Sequence, residues 1–156
     1  MPEYMIDDSD DDLRVVKLCY TYAELSSRKD LGPPLTRSDR SRLHSLEQLL
    51  CSDPLRRRRR HRRIATLVPA TLRSGQERYQ GTATNVACGG MFVVTSAPIE
   101  VGTRLHVRLG ASGETRYVFP CVVQRAGYDG RAQGLGLVVD GPPARVSAWE
   151  ADELSN

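Results

Sequence analysis

Apolar residues recur at helical spacing along the first third of the chain. Leu13, Val16 and Tyr20 fall on one stripe, and Leu18, Tyr22 and Leu25 widen it. Residues 13 to about 29 are therefore predicted to form an amphipathic helix. Gly32-Pro33-Pro34 breaks the run. A second helix is predicted to open at Thr36, because Thr36-Arg37-Ser38-Asp39 has the capping-box pattern in its Asp form. Leu43, Leu46, Leu49 and Leu50 give it an apolar side, and Cys51-Ser52-Asp53-Pro54 ends it. Residues 13–53 thus read as a helical hairpin with one apolar face. Two helices of this length are marginal alone, so that face is expected either to pack on the following domain or to meet another chain.

From Ile64 the period shortens. Residues 65–73, 77–86, 90–95, 104–109, 116–125 and 134–140 are short runs rich in Val, Leu, Thr and Tyr. Ser74-Gly75, Ala111-Ser112-Gly113 and Tyr128-Asp129-Gly130 mark turns between some of them. Six short strands so spaced predict a small closed antiparallel barrel. Pro142-Pro143 is expected to introduce a short helix over roughly residues 144–154 that plugs one mouth of it. The predicted organisation is an acidic lead without fold (1–12), the helical hairpin (13–53), an arginine-rich arm (54–63), and a barrel with a C-terminal helix (64–156).

Composition changes this picture chiefly through charge. The chain has 156 residues, and its 40% hydrophobic content with two Phe and one Trp supplies a mostly aliphatic core. The net charge is only +3, but it is unevenly placed. Asp7, Asp8, Asp10, Asp11 and Asp12 form an acidic head, while residues 56–63 hold seven arginines and one histidine. Each unpaired guanidinium in an apolar interior would lose hydration worth several kcal/mol. The run must be solvated or face anions. Cys19, Cys51, Cys88 and Cys121 stand more than thirty residues apart with no Cys-x-x-Cys pair, so they are expected to be packing residues and no zinc is expected. No secretory leader and no apolar run near eighteen residues are seen, which predicts a cytoplasmic chain with reduced thiols and no membrane span.

Candidate chemistry lies where the arm meets the barrel. Arginine presents a planar fork of donors that grips a phosphate, or the O6/N7 edge of guanine, in bidentate fashion. Two arginines at i and i+4 on an extended arm would serve phosphate and base together. Asn85 carries both a donor and an acceptor, suited to a base edge. Gly89-Gly90 permits positive φ and close approach of a ring or phosphate to the backbone.

These residues resemble the PilZ domain family. An Arg-xxx-Arg arm is followed after roughly two dozen residues by [Asp/Asn]-x-Ser-x-x-Gly and an apolar strand. The counterparts are Arg59-xxx-Arg63 and Asn85-Val86-Ala87-Cys88-Gly89-Gly90, and Gly134-Leu135-Gly136-Leu137-Val138-Val139 is similar to the family's late Gly-x-Gly strand. Arg63 is preferred because it directly precedes Ile64; Arg58 with Arg62 is the alternative register. The resemblance covers about residues 56–154 and implies a PilZ-type barrel that is a receptor for cyclic di-GMP, a bacterial second messenger. Arg59 and Arg63 would clamp the ligand, with Arg58 adding a contact or a stacking plane. Asn85 would read a guanine edge from the loop that also includes Ala87 and Gly89, and Gly90 would make room. The family's Ser is Ala87 here; a lost hydroxyl donor costs about 1 kcal/mol where water substitutes and up to about 3 where a ligand group stays unpaired, or about fivefold to over a hundredfold in affinity.

Other readings stand beside this one. A degenerate barrel would bind no nucleotide and would act as an adaptor, joining a protein partner or a second copy through residues 13–51. The arginine run alone would serve as a solvated linker, or bind nucleic acid or acidic lipid through counterion release. Aromatic residues are not interleaved with it, which argues against a single-strand binder. Asn85 and Gly89-Gly90 alone would equally make a turn. His44, His61 and His106 are scattered, and no catalytic triad, P-loop or carboxylate pair stands out, so no enzyme is expected.

Overall fold

A computed structural model describes residues 8–32, 34–50, 64–87, 89–110 and 116–146. Helix α1 runs Asp8–Leu31 and α2 runs Arg37–Leu50. Seven strands follow: β1 Ile64–Ser74, β2 Glu77–Ala87, β3 Gly90–Val94, β4 Arg104–Leu109, β5 Arg116–Asp129, β6 Ala132–Val139 and β7 Ala144–Val146. All pairings are antiparallel, in the order β4-β1-β2-β3-β6-β5, and a further β4–β5 ladder closes the cylinder. The expected six-stranded PilZ-type barrel with its N-terminal helical hairpin is the observed architecture.

The barrel is solid. Inward residues of every barrel strand, among them Val68, Leu72, Ala83, Val93, Val107, Phe119 and Leu137, form one buried cluster. Val16 and Cys19 of α1 join that cluster, and the ring of Tyr20 lies 5.1 Å from that of Tyr117. The apolar stripe of α1 is thus divided. Val16 and Cys19 cap the barrel core, while Leu18, Tyr22 and Leu25 meet Leu35, Leu43, Leu46 and Leu50. Of the two alternatives for the hairpin's apolar face, packing on the following domain is the one observed. Ile64, the first barrel residue, also packs against the α2 cluster.

The α2 cap forms as its sequence predicts, the Asp39 amide donating to Thr36 Oγ1 at 3.0 Å. Other boundaries differ. α1 begins at Asp8, so residues 8–12 of the acidic lead belong to it. Residues 144–146, expected to open a helix, instead pair as β7 with residues 116–118 of β5. β5 has fourteen residues, and β6 pairs with it only from Cys121 onward, so a length of edge remains for β7 to fill. The rest of the expected C-terminal helix lies outside the described residues. Tyr128 and Asp129 extend β5, leaving Gly130 at φ +67° and Arg131 as the turn. Cys19 and Cys121 are buried and in no disulfide, and burial first, with Asp140 second, pushes the Cys121 thiol up to about 12. Among the described residues, no helix is long and apolar enough to cross a membrane.

Candidate functional site on the outer wall of the barrel

A filled interior leaves only the outer wall for a ligand, and strand register decides which residues face it. Successive residues of a strand point to opposite faces, and one extra residue reverses the parity of everything after it. In β2, Ala83 pairs with Val93 and Asn85 pairs with Phe92, so Thr84 is unmatched. Ala83 faces the core; regular alternation would send Asn85 there too. The bulge turns Asn85 outward and returns Val86 to the core. The same device operates in β5, where Val123 pairs with Leu137 and Arg125 pairs with Gly136, leaving Gln124 extra. Without it the Arg125 guanidinium would enter the apolar core. β1 bulges at the same level, between Ala65 and Val68, where buried Thr66 donates to the Ala83 carbonyl at 3.0 Å. Such bulges are frequent where a strand re-aims side chains toward a site.

The outcome is a continuous row of outward positions across five strands: Ala65, Asn85, Phe92, Gly136 and Arg125. Phe92 is only 2% exposed although it is not part of the barrel core. It lies on the outer wall because Met91 and Val93 on either side point inward. The Gly134-x-Gly136 strand makes its bed: a Cβ on Gly134 would come within 2.9 Å of the Phe92 ring, and one on Gly136 within 2.9 Å of the Arg125 side chain. Arg125 lies over Phe92 with its guanidinium carbon 5.3 Å from the ring centroid, a cation–π contact. On the other side of Phe92 in the row, Asn85 Nδ2 donates to Asp129 Oδ2 at 2.8 Å.

That last bond settles the amide's orientation. A carboxylate only accepts, so the Nδ2 end of Asn85 faces Asp129. The carbonyl oxygen Oδ1 faces the other way, as an acceptor.

The remaining expected residues divide. Ala87 faces outward two residues beyond Asn85 and pairs with Gly90, so the three spaced positions of the motif share one face. β2 continues past Asn85 to Ala87. Gly90 does not use the positive φ that a glycine permits. Gly89 accepts from the Val139 amide and so lengthens the β3–β6 ladder. A Cβ on Gly90 would stand 2.4 Å from the Leu137 carbonyl oxygen, so close approach of two strands accounts for this glycine. Arg58, Arg59, Arg63 and Cys88 lie outside the described residues. Phe92, Arg125, Asp129 and Gly136 were not singled out from the sequence as site residues. The alternation of Gly134 and Gly136 opposite Phe92 carried a legible signal, whereas the bulges that expose Asn85 and Arg125 did not.

A closed, side-chain-filled cylinder bearing a polar and aromatic row on its wall has only its outer surface to offer a ligand, unlike barrels with a hollow interior. The chain belongs to the PilZ domain family, whose model matches residues 57–148. Two solved structures are similar to it. One is the Bacillus subtilis inhibitor of motility (MotI/DgrA), at 16% identity and a TM-score of 0.45 over 64% of this chain; the match spans about half of that structure, 51%. The other is the PilZ domain of CeSA from a cellulose-synthesizing bacterium, at 23% identity and a TM-score of 0.41, covering 51% of this chain and 81% of that one. No curated protein matches.

Proposed function

We propose that the chain is a non-enzymatic, cytoplasmic receptor for cyclic di-GMP that passes ligand occupancy to its helical hairpin or to a protein partner. The observation that carries this reading is the outward row from Asn85 to Arg125, with the Asn85 carbonyl presented as an acceptor. Guanine offers an N2 amino donor that such an oxygen accepts. The Phe92–Arg125 pair supplies a flat cationic surface on which a purine stacks. Arg63 is bonded to Ile64, whose Cα partner is Val86, the neighbour of Asn85. The arm's last arginine stands beside the row in this reading, with Arg59 within about 14 Å of Arg63. In this reading Arg59 and Arg63 clamp phosphate and base, Arg58 adds a further contact, and no cofactor or metal takes part.

Transmission has a physical route as well. Leu50 and Ile64, the residues that bracket the arm, belong to the same apolar cluster. A ligand that orders the arm acts on both of its attachment points at once, to the extent of its differential affinity for the two states. Isothermal titration of cyclic di-GMP into the wild type, Arg59→Ala and Arg63→Ala tests the clamp. Loss of at least tenfold in affinity is expected for each variant, and tight binding that survives both changes would rule the clamp out.

Ala87 favours a second reading, an adaptor that has lost the nucleotide. Ala87→Ser separates the two: the receptor reading expects about fivefold tighter binding from the restored donor, and the adaptor reading expects no change from an undetectable affinity.

A further inference from the structure

A second cluster of arginines stands on different strands. The outward positions of the β1–β4–β5 wall and of the β1–β2 hairpin converge on a groove of about 530 Å³. Thr71, Arg73, Arg78, His106 and Arg108 line it, and Val118, Ala144 and Val146 form its apolar side. Register explains the convergence. Arg73 is the cross-strand partner of both Arg78 and His106, and Thr71 that of Arg108, which in turn faces Val118. Strand β7, pairing Ala144 with Val118, raises the far wall. Burial, with Arg116, Arg78 and Arg73 close by, lowers the Arg108 pKa from the ordinary guanidinium value. These cations therefore feel one another's field. No carboxylate is among the described lining residues. Arg78, Arg108 and Arg116 also engage other groups, and each guanidinium carries five N–H donors.

We infer that this groove is a second ligand site, separate from the Asn85 row, for a small molecule carrying two or more linked phosphate groups. Clustered guanidiniums on a concave wall bind phosphate oxygens in bidentate fashion and gain most from a ligand of multiple negative charge. The volume lies in the range of small-molecule sites, and Val118, Ala144 and Val146 would cover the organic part of such a ligand. A nucleic-acid backbone fits less well, because the arginines meet in one pocket and do not form a stripe that follows successive phosphates.

The test uses the full chain and inorganic pyrophosphate as the probe, with inorganic phosphate for comparison. Saturable pyrophosphate binding, at least tenfold tighter than phosphate, is expected for the wild type and equally for the Arg59→Ala/Arg63→Ala double variant. Arg73→Glu, at an exposed position that does not load the core, is expected to weaken pyrophosphate at least tenfold and to leave cyclic di-GMP binding unchanged. Arg108→Gln, with circular dichroism to verify folding, is expected to act in the same direction. Absence of saturable pyrophosphate binding would overturn the site. So would binding that survives Arg73→Glu but disappears in the arm double variant, since the arm would then be the anion binder. Displacement of pyrophosphate by duplex DNA with a steep salt dependence would assign the groove to nucleic acid and overturn the small-molecule reading.

Discussion

At the scale of single residues, the Asn85–Asp129 pair carries the most consequence. The sequence offers Asn85 as an amide with two ends, and nothing local says which end meets a ligand. Asp129 lies 44 residues away and reaches Asn85 only because β5 extends past Arg125 into a hairpin. If Asp129 acts as a positioning residue, Asp129→Ala leaves the amide free to rotate and to offer a donor where an acceptor is needed. The expected effect is about fivefold weaker cyclic di-GMP binding, on the order of 1 kcal/mol, together with reduced preference for guanine over adenine in the cyclic dinucleotide. Unaltered affinity and preference in titrations of that variant would remove Asp129 from the site. Gly90 shows the opposite case. Its place in the motif invites a role in ligand access, yet the Leu137 carbonyl already forbids any side chain there.

At the scale of elements, the barrel was legible because its strands alternate. Val68, Ala70 and Leu72 point inward from β1, and Leu105, Val107 and Leu109 from β4, with polar or exposed partners between them. Period-two patterning has one physical cause, a wall with one wet face. Three features lacked such a signal. The bulges at Thr84 and Gln124 reverse parity without marking the sequence, since neither residue is Gly or Pro. β7 has only three residues and exists because β5 outruns β6. The closing of the barrel mouth by α1 was hidden because one helical stripe serves two partners, and periodicity shows how wide an apolar face is without showing what covers it. This packing has a measurable consequence. Val16 is fully buried against the barrel, so Val16→Asp places a carboxylate in the core and is expected to lower the stability of the whole fold by at least about 2 kcal/mol. Denaturant unfolding followed at the barrel would register that loss, whereas a hairpin that folds apart from the barrel would leave the barrel transition in place.

At the scale of the whole molecule, charge and connectivity act together. The arm of seven arginines joins α2 to β1, and both of its attachment points sit in one apolar cluster. α1 in turn contributes to that cluster and to the barrel core. Ordering the arm against the outer wall would therefore be felt by the hairpin, which is where a partner would read it. The Arg73–Arg108 groove lies on other strands, so one barrel would present two cationic surfaces that a polyanion addresses separately. The most direct test of the receptor assignment is calorimetric titration of the wild-type chain with cyclic di-GMP and, in parallel, with its adenine counterpart. Saturable binding of the guanine ligand at least tenfold tighter than the adenine one is the predicted result. Equal affinity for both, or no heat from either at concentrations where the chain stays folded, would contradict it.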